Sequence, residues 1–308
     1  MGELLALLSA CCFAASNVTI TRGARGSQDN GAFMSILLTA AIAGAWWLAA
    51  MPARGMPPME RASLLWFAGA GILTIFIGRV FLYASIQRLG AVRASAVKRL
   101  NPLFSVLLGV LLLGERVDGP MALGMLMIGA SFGVLIRQSL GAAGAAAAAA
   151  PAGGAPRSLR ATLVNLGFFY GPVSALAYAC GYVARKEGLL GMPDPAFGTM
   201  FGSIVGALMF VLIAQFVDSY RRALRLTFSV FNPWLFAAGV LSSAGQLLYF
   251  AALNSSTIAR CAMISSMEAL FTIFFAVAAS RSLKQLNGPV LLAAALGVAG
   301  TACIMLRR

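Results

Sequence analysis

The chain has 308 residues, of which 60% are hydrophobic and only 10% are charged. A soluble domain carries about 25% charged residues, so this composition is that of a polytopic membrane protein. The formal net charge of +14 would suit a nucleic-acid-binding protein, but the basic residues occur singly or in pairs at the ends of apolar runs. Nucleic acid is therefore excluded as a partner, because phosphate backbones are bound by solvated clusters of basic groups.

The sequence contains no histidine, and its five cysteines lie in apolar runs without metal-type spacing. This excludes histidine proton relays, histidine-ligated metals and catalysis by serine–histidine or cysteine–histidine pairs. It also lacks a glycine-rich phosphate loop and paired carboxylates at membrane depth. The chain is accordingly predicted not to be an enzyme and to use no cofactor or metal.

Apolar runs of about 20 residues, the length with which an α-helix crosses about 30 Å of hydrocarbon, follow one another along the chain. The first half is predicted to contain five spans at 4–21, 32–51, 64–86, 91–113 and 120–136. The second half is predicted to contain five more at 162–184, 196–217, 234–253, 258–279 and 289–306. The short connections carry Pro and Gly, which end helices.

A low-complexity segment separates the two sets of five spans. It reads GAAGAAAAAAPAGGAP over 141–156, and this composition is typical of a flexible tether. The predicted organisation is a first five-span repeat over 1–137, an Ala/Gly-rich linker over 138–160 and a second five-span repeat over 161–308.

The two halves also resemble each other in order along the chain. The matching segments are 9–23 with 174–188 at an offset of 165, 82–83 with 248–249 at 166, and 101–105 with 268–272 at 167. An offset that only grows is what duplication followed by small loop insertions produces. Because five spans is an odd number, the second half must enter the membrane from the opposite side. The sequence therefore predicts an all-α membrane protein of ten helices in two inverted repeats.

Motifs in the first and fourth spans resemble those of the EamA family of the drug/metabolite transporter superfamily. The first span contains FAASN at 13–17, and LNPLF at 100–104 with LGER at 113–116 is similar to the family pattern LEPVF…LLGER. The resemblance implies cytoplasmic termini, alternating access, and a central cavity lined by spans one, three, four, six, eight and nine. Family members typically export metabolites such as amino acids, and related branches carry nucleotide sugars or sugar phosphates. The motif glutamate is Asn101 in the first repeat and Glu268 in the second.

Glu268 is the one acidic residue deep inside a predicted span. Ser265 and Thr272 precede and follow it by three and four residues, so all three would share one helical face. Intramembrane carboxylates are costly and usually functional, which makes Glu268 a candidate for proton coupling or for binding a substrate amine. The alternative is a structural ion pair that fixes the ninth span to the third or fourth.

Lys98 and Arg99 are adjacent cations within the fourth predicted span. Each costs roughly 2.5–3.5 kcal/mol at the centre of a bilayer, and their side chains point about 100° apart on a helix. Lys98 shares a face with Asn101. One interpretation is a site for a carboxylate or phosphate. In the other, one cation pairs with Glu268 and the other reaches the interface.

Arg79 in the third span lies one helical turn before Tyr83. This pair is either part of a polar stripe facing the cavity or an interfacial anchor. Tyr178 and Tyr249 are the aromatic candidates for contact with a substrate, with ordinary packing as the alternative.

These observations predict a secondary active transporter, an exporter of a small polar metabolite such as an amino acid or organic anion. A proton acting at Glu268 is the expected coupling ion, and the small molecule and the lipid bilayer are the expected partners. The protein is expected in a bacterial inner membrane as a multi-pass monomer or homodimer. The alternatives are a sugar-phosphate or nucleotide-sugar type of antiporter, a channel, and a non-transporting membrane scaffold or receptor.

Overall fold

The structure is a computed structural model in which every regular element of the described residues is a helix. The described residues are 1–25, 27–55, 59–89, 100–114, 118–120, 122–127, 129–131, 133–134, 137, 166–280 and 288–305. An apolar chain in lipid has no water to satisfy its backbone N–H and C=O groups, and helices satisfy these groups within each segment. The result agrees with the all-α fold predicted from the apolar runs.

The first half contains five labelled helices and one π-helical segment. They are α1 (Gly2–Gly23), α2 (Ala32–Arg54), α3 (Arg61–Ala70), the π segment (Gly71–Gly78), α4 (Arg79–Leu89) and α5 (Leu100–Leu113). Helix α3, the π segment and α4 follow one another without a break and form one long apolar span. Further helical residues occur between 119 and 137.

The described residues of the second half form seven helices. They are α6 (Leu166–Gly191), α7 (Pro195–Phe216), α8 (Asp218–Ser229), α9 (Pro233–Ser255), α10 (Ile258–Ser265), α11 (Glu268–Ser280) and α12 (Gly288–Met305). Two of them begin in the same way. The side chains of Asp194 and Asn232 accept hydrogen bonds from backbone N–H groups of the first turns of α7 and α9, and each is followed by proline. Both features are typical of helix N-termini.

Six helices of the described residues are long and apolar enough to cross a membrane. They are Gly2–Gly23, Ala32–Ala53, Arg61–Arg88, Pro195–Phe216, Pro233–Ser255 and Ile258–Ala279. Each coincides with a span predicted from the sequence. The predicted total of ten stays a prediction, because the fourth and fifth predicted spans lie partly outside the described residues and the helices at the sixth and tenth, α6 and α12, are not among these six.

Helix α8 lies within a segment that the sequence analysis treated as a connection. It is amphipathic: Tyr220, Ala223 and Leu224 pack toward Phe33 and Phe210, whereas the arginines at 222 and 225 are exposed. The prediction missed this helix because only uniformly apolar runs were sought. Alternating apolar and basic residues at helical spacing are typical of a helix at a membrane surface.

Small residues allow close contacts between helices of the two halves. A β-carbon on Gly71 would meet the backbone of Gly202, and one on Gly239 would lie 2.6 Å from the side chain of Leu38. Gly202 and Gly239 are therefore close-packing positions, which matter in lipid because no hydrophobic force draws the helices together there. Helix α1 packs along α9, and α6 packs against α3, the π segment and α4. The first helix of each half thus contacts the third span of the other.

Candidate functional site

Glu268 lies at a break in the ninth predicted span. Helix α10 ends at Ser265, residues 266 and 267 form a turn, and Glu268 is the first residue of α11. The turn satisfies its own backbone, because the N–H groups of Ser266 and Met267 donate to carbonyl oxygens of α10.

The partner of Glu268 is a side chain of the first helix. The side-chain amide of Asn17 donates to Oε1 of Glu268 at 2.7 Å, and Glu268 is 8% exposed. This hydrogen bond connects α1 with α11 inside the protein. The carboxylate therefore lies where the two halves of the chain meet.

Ser265 ends α10 and Glu268 begins α11, and the N–H groups of Ala269 and Leu270 donate to the carbonyls of Ser266 and Met267 in the turn between them. The shared face expected for Ser265, Glu268 and Thr272 stays a prediction. The hydroxyl of Thr272 donates to the backbone carbonyl of Glu268 at 2.7 Å. That hydroxyl is therefore engaged by its own helix, a common arrangement for threonine in apolar helices.

Asn101 occupies a related position in the first half. Its amide oxygen accepts from the hydroxyl of Ser105 at 3.2 Å and its amide nitrogen donates to the carbonyl of Ala175 at 3.3 Å. Its side chain also lies close to that of Tyr182. Tyr182 stands 165 residues after Asn17, and Glu268 stands 167 after Asn101. These are the offsets at which the two halves align. The contact between α6 and α5 is thus the counterpart of the contact between α1 and α11.

A second pair of hydrogen bonds follows the same relation. The hydroxyl of Ser9 donates to the carbonyl of Gly245 at 2.7 Å, and the hydroxyl of Ser174 donates to the carbonyl of Gly78, also at 2.7 Å. The serines are 165 residues apart and the glycines 167, so the glycines correspond to within one residue of the offset of 166 at 82–83 and 248–249. Each bond joins the first helix of one half to the third span of the other.

Arg79 is 0% exposed and is held by α2. Its Nη1 donates to the carbonyl of Ser35 at 2.9 Å and to the hydroxyl of Thr39 at 2.6 Å, and the hydroxyl of Tyr83 donates to the Ser35 hydroxyl at 2.9 Å. An interfacial anchor would reach water or lipid headgroups. Arg79 is instead enclosed by neighbouring helices in this structure, and a polar stripe that faces a cavity stays a prediction.

Arg185 is a second buried cation, which the sequence analysis missed. It is 2% exposed, its Nη2 donates to the hydroxyl of Thr74 at 2.6 Å, and its guanidinium lies 4.8 Å from the ring centroid of Phe250. In the amide orientation that matches donors to acceptors, the oxygen of Gln246 accepts from both Nη atoms. Arg185 precedes Lys186 and Glu187, a charged group that resembles a helix end, but α6 continues to Gly191.

Three buried tyrosines pack against one another in the region that contains the two arginines and Glu268. The ring centroids of Tyr182 and Tyr249 are 4.4 Å apart, and those of Tyr178 and Tyr182 are 5.9 Å apart. Arg185 lies within electrostatic range of all three rings and of Arg79, and Tyr182 lies within range of Glu268. We call these six residues and Asn17, Asn101 and Gln246 the central polar cluster. Its side chains are buried, so this conformation holds the cluster closed.

Lys98 and Arg99 lie outside the described residues, and their roles stay predictions. In the described part of the chain, no carboxylate lies within 4.0 Å of the guanidinium of Arg79 or Arg185. The same part contains no group of three or more Cys, Asp or Glu side chains that could hold a metal ion. The charged centre is therefore dominated by two arginines.

Long apolar helices define an integral, multi-pass membrane protein, and a buried charged centre between them is typical of proteins that move polar solutes. The model of the EamA-like transporter family matches residues 1–137 and 165–306, and the chain belongs to this family within the drug/metabolite transporter superfamily. A solved crystal structure shares the fold: 99% of this chain aligns with 97% of that one, at 20% sequence identity and a TM-score of 0.66. A comparison with curated proteins finds no match.

Proposed function

We propose that the protein is a secondary active exporter of a small polar metabolite with an anionic group, such as an amino acid or organic anion. The proposal includes proton coupling at Glu268, ten spans in two inverted repeats, and alternating access between them. As part of the same proposal, the protein works in a bacterial inner membrane as a monomer or homodimer. Membership of a transporter family supports the general activity.

The observation that carries this proposal is the buried contact between Asn17 and Glu268. A carboxylate at the break of a span, between helices of different halves, is a group that can exchange a proton or bind a cationic group when the halves move. Broken helices with charged groups at their ends are the usual binding elements of transporters built from repeats. The related hydrogen bonds of the two halves support the inverted arrangement and a rocking motion between them.

The test is transport by purified protein in proteoliposomes. A thermal-shift screen of amino acids, organic acids and sugar phosphates would first select a substrate. One pH unit across the membrane corresponds to about 1.4 kcal/mol per proton, or about a tenfold change in the substrate ratio at steady state. We expect this response in the wild type and its loss in Glu268→Gln. Glu60→Gln is the matched control, because Glu60 is an exposed carboxylate outside the cluster.

The other outcomes have distinct meanings. A gradient response that persists in Glu268→Gln would contradict coupling at this residue. Exchange that requires substrate on both sides and ignores the pH gradient would instead favour an antiporter of the sugar-phosphate type. Flux that never saturates would favour a channel, and binding without flux would favour a receptor or scaffold.

A further inference from the structure

We infer that Arg79 and Arg185 form a binding site for an oxyanion group of the cargo, a carboxylate or a phosphate, in which the free edge of Arg79 is the bidentate donor. This inference rests on the proposed transport function and identifies the part of the cluster that recognises the cargo. The site consists of two guanidinium groups from different halves of the chain, one on α4 and one on α6.

The free edge of Arg79 is the first observation. Its Nη1 makes all the hydrogen bonds to Ser35 and Thr39, whereas Nε and Nη2 are buried without a hydrogen-bond partner in the described part of the protein. A buried donor that is left unsatisfied costs about 1–3 kcal/mol, and more when it is charged. Two unsatisfied donors on one fully buried side chain therefore indicate that a ligand completes this position.

The identity of the two atoms indicates the kind of ligand. Nε and Nη2 lie on the same edge of the planar guanidinium group and present two parallel N–H groups. A carboxylate or phosphate accepts both through two oxygens, which is the strongest and most specific way in which arginine binds an anion. A halide has only one acceptor centre, so it cannot form two separate, linear hydrogen bonds to this pair of N–H groups. The free edge therefore favours an oxyanion.

The balance of charge is the second, independent observation. Arg79 and Arg185 are close enough to repel each other, and neither has a carboxylate partner among the described residues. Arg185 is instead held by neutral groups, namely Thr74, Gln246 and the face of Phe250. Buried cations are normally paired, because removing them from water is costly. An anionic group between the two arginines would offset that cost and their mutual repulsion.

The test is anion binding by the purified full chain in detergent, measured as the rise in melting temperature. The probes are inorganic phosphate and succinate, titrated at constant ionic strength against chloride. We expect at least one probe to stabilise the wild type. Arg79→Lys keeps the charge but removes the paired donors, so its dissociation constant for that probe should rise about tenfold or more. Arg222→Lys, on an exposed arginine of α8, is the matched control and should bind like the wild type.

Preference for phosphate or for succinate assigns the class of cargo, and either result supports the site. Equal stabilisation of the wild type and Arg79→Lys would overturn it, as would a wild type that neither probe stabilises relative to chloride. If Arg79→Lys does not fold, Arg185→Lys takes its place under the same criteria. Stabilisation by phosphatidylglycerol in mixed micelles, without an effect of either soluble probe, would overturn the assignment to cargo.

Because binding is measured without a membrane gradient, this test is separate from the transport assay. Loss of anion binding in Arg79→Lys would support the site even if proteoliposomes show no coupled flux. Active transport combined with unchanged binding in Arg79→Lys would overturn the site and leave the proposed function intact.

Discussion

Asn17 and Glu268 are 251 residues apart, and their hydrogen bond joins the first helix to the second half of the ninth predicted span. A hydrogen bond to an ionised group contributes about 1.5–3 kcal/mol, because the alternative partner, water, is excluded from the interior. The bond therefore holds α1 against α11 and also satisfies the carboxylate of the central polar cluster. Any motion that separates α1 from α11 must break it.

The two residues should accordingly be energetically coupled. Asn17→Ala removes the donor, and we expect it to destabilise the purified protein by about 1–3 kcal/mol, seen as a lower melting temperature. In the double variant with Glu268→Gln, the two effects should deviate from additivity by about 0.5–3 kcal/mol. Asn17→Ala combined with Glu60→Gln is the control pair and should be additive. Additive effects in both pairs would show that the Asn17–Glu268 contact carries no coupling.

The sequence identified part of this cluster. Arg79 and Glu268 were predicted because a charge within an apolar run needs a reason, and the buried positions of both agree with that expectation. Arg185 was missed because hydropathy does not distinguish a charged helix end from a buried charge followed by more helix. Asn17 was missed because it is uncharged. The alignment of the two halves could have indicated Asn17, because it places Asn17 at the position that corresponds to Tyr182.

At the level of elements, the π segment and α7 touch through the backbones of Gly71 and Gly202, and no side chain separates them there. A β-carbon on Gly71 would meet backbone atoms of Gly202, which cannot move aside as a flexible side chain would. We therefore expect Gly71→Ala to destabilise the protein by about 1–3 kcal/mol through overpacking. The measurement is the melting temperature and the monodisperse fraction on size-exclusion chromatography.

Gly69 provides the control within the same span, because a β-carbon there has no neighbour within 4 Å. Gly69→Ala should be neutral or should stabilise the helix by up to about 1 kcal/mol, since alanine loses less conformational freedom on folding. Equal effects of the two substitutions would mean that helix propensity, and not contact with α7, decides the outcome.

The helices differed in how well they could be predicted from the sequence. Apolar length alone located the six long spans, since crossing hydrocarbon imposes that length on any helix. The break before Glu268 could not be predicted from ISSMEAL at 264–270, which contains neither proline nor glycine. The amphipathic pattern of α8 predicts a helix, but the segment is not uniformly apolar and was therefore not identified as one.

At the level of the whole molecule, the two halves are interlocked. Helix α1 packs along α9 in the second half, and α6 packs along the third span of the first half, with one serine-to-carbonyl hydrogen bond in each contact. In the proposed mechanism, alternating access opens one of these contacts while its counterpart closes, so the interactions formed in one offset part of those lost in the other.

The inverted arrangement makes a topological prediction. The first connection of each half, 24–31 between α1 and α2 and 192–194 between α6 and α7, should face opposite sides of the membrane. We expect Gln28→Cys and Pro193→Cys, introduced singly after replacement of the five native cysteines by alanine, to differ completely in labelling by an impermeant maleimide on intact cells. Both positions are exposed. The family resemblance implies labelling of position 28 from outside and of position 193 only after permeabilisation.

A third position provides an internal check of the labelling experiment. Met59 is exposed in the connection between α2 and α3, and the adjacent Glu60 lies against Gly191 at the end of α6. Met59→Cys should therefore label from the same side as Pro193→Cys. If positions 28 and 193 label from the same side, the halves enter the membrane in parallel. The paired hydrogen bonds would then reflect a duplication without inversion, and a site between rocking inverted halves would have to be abandoned.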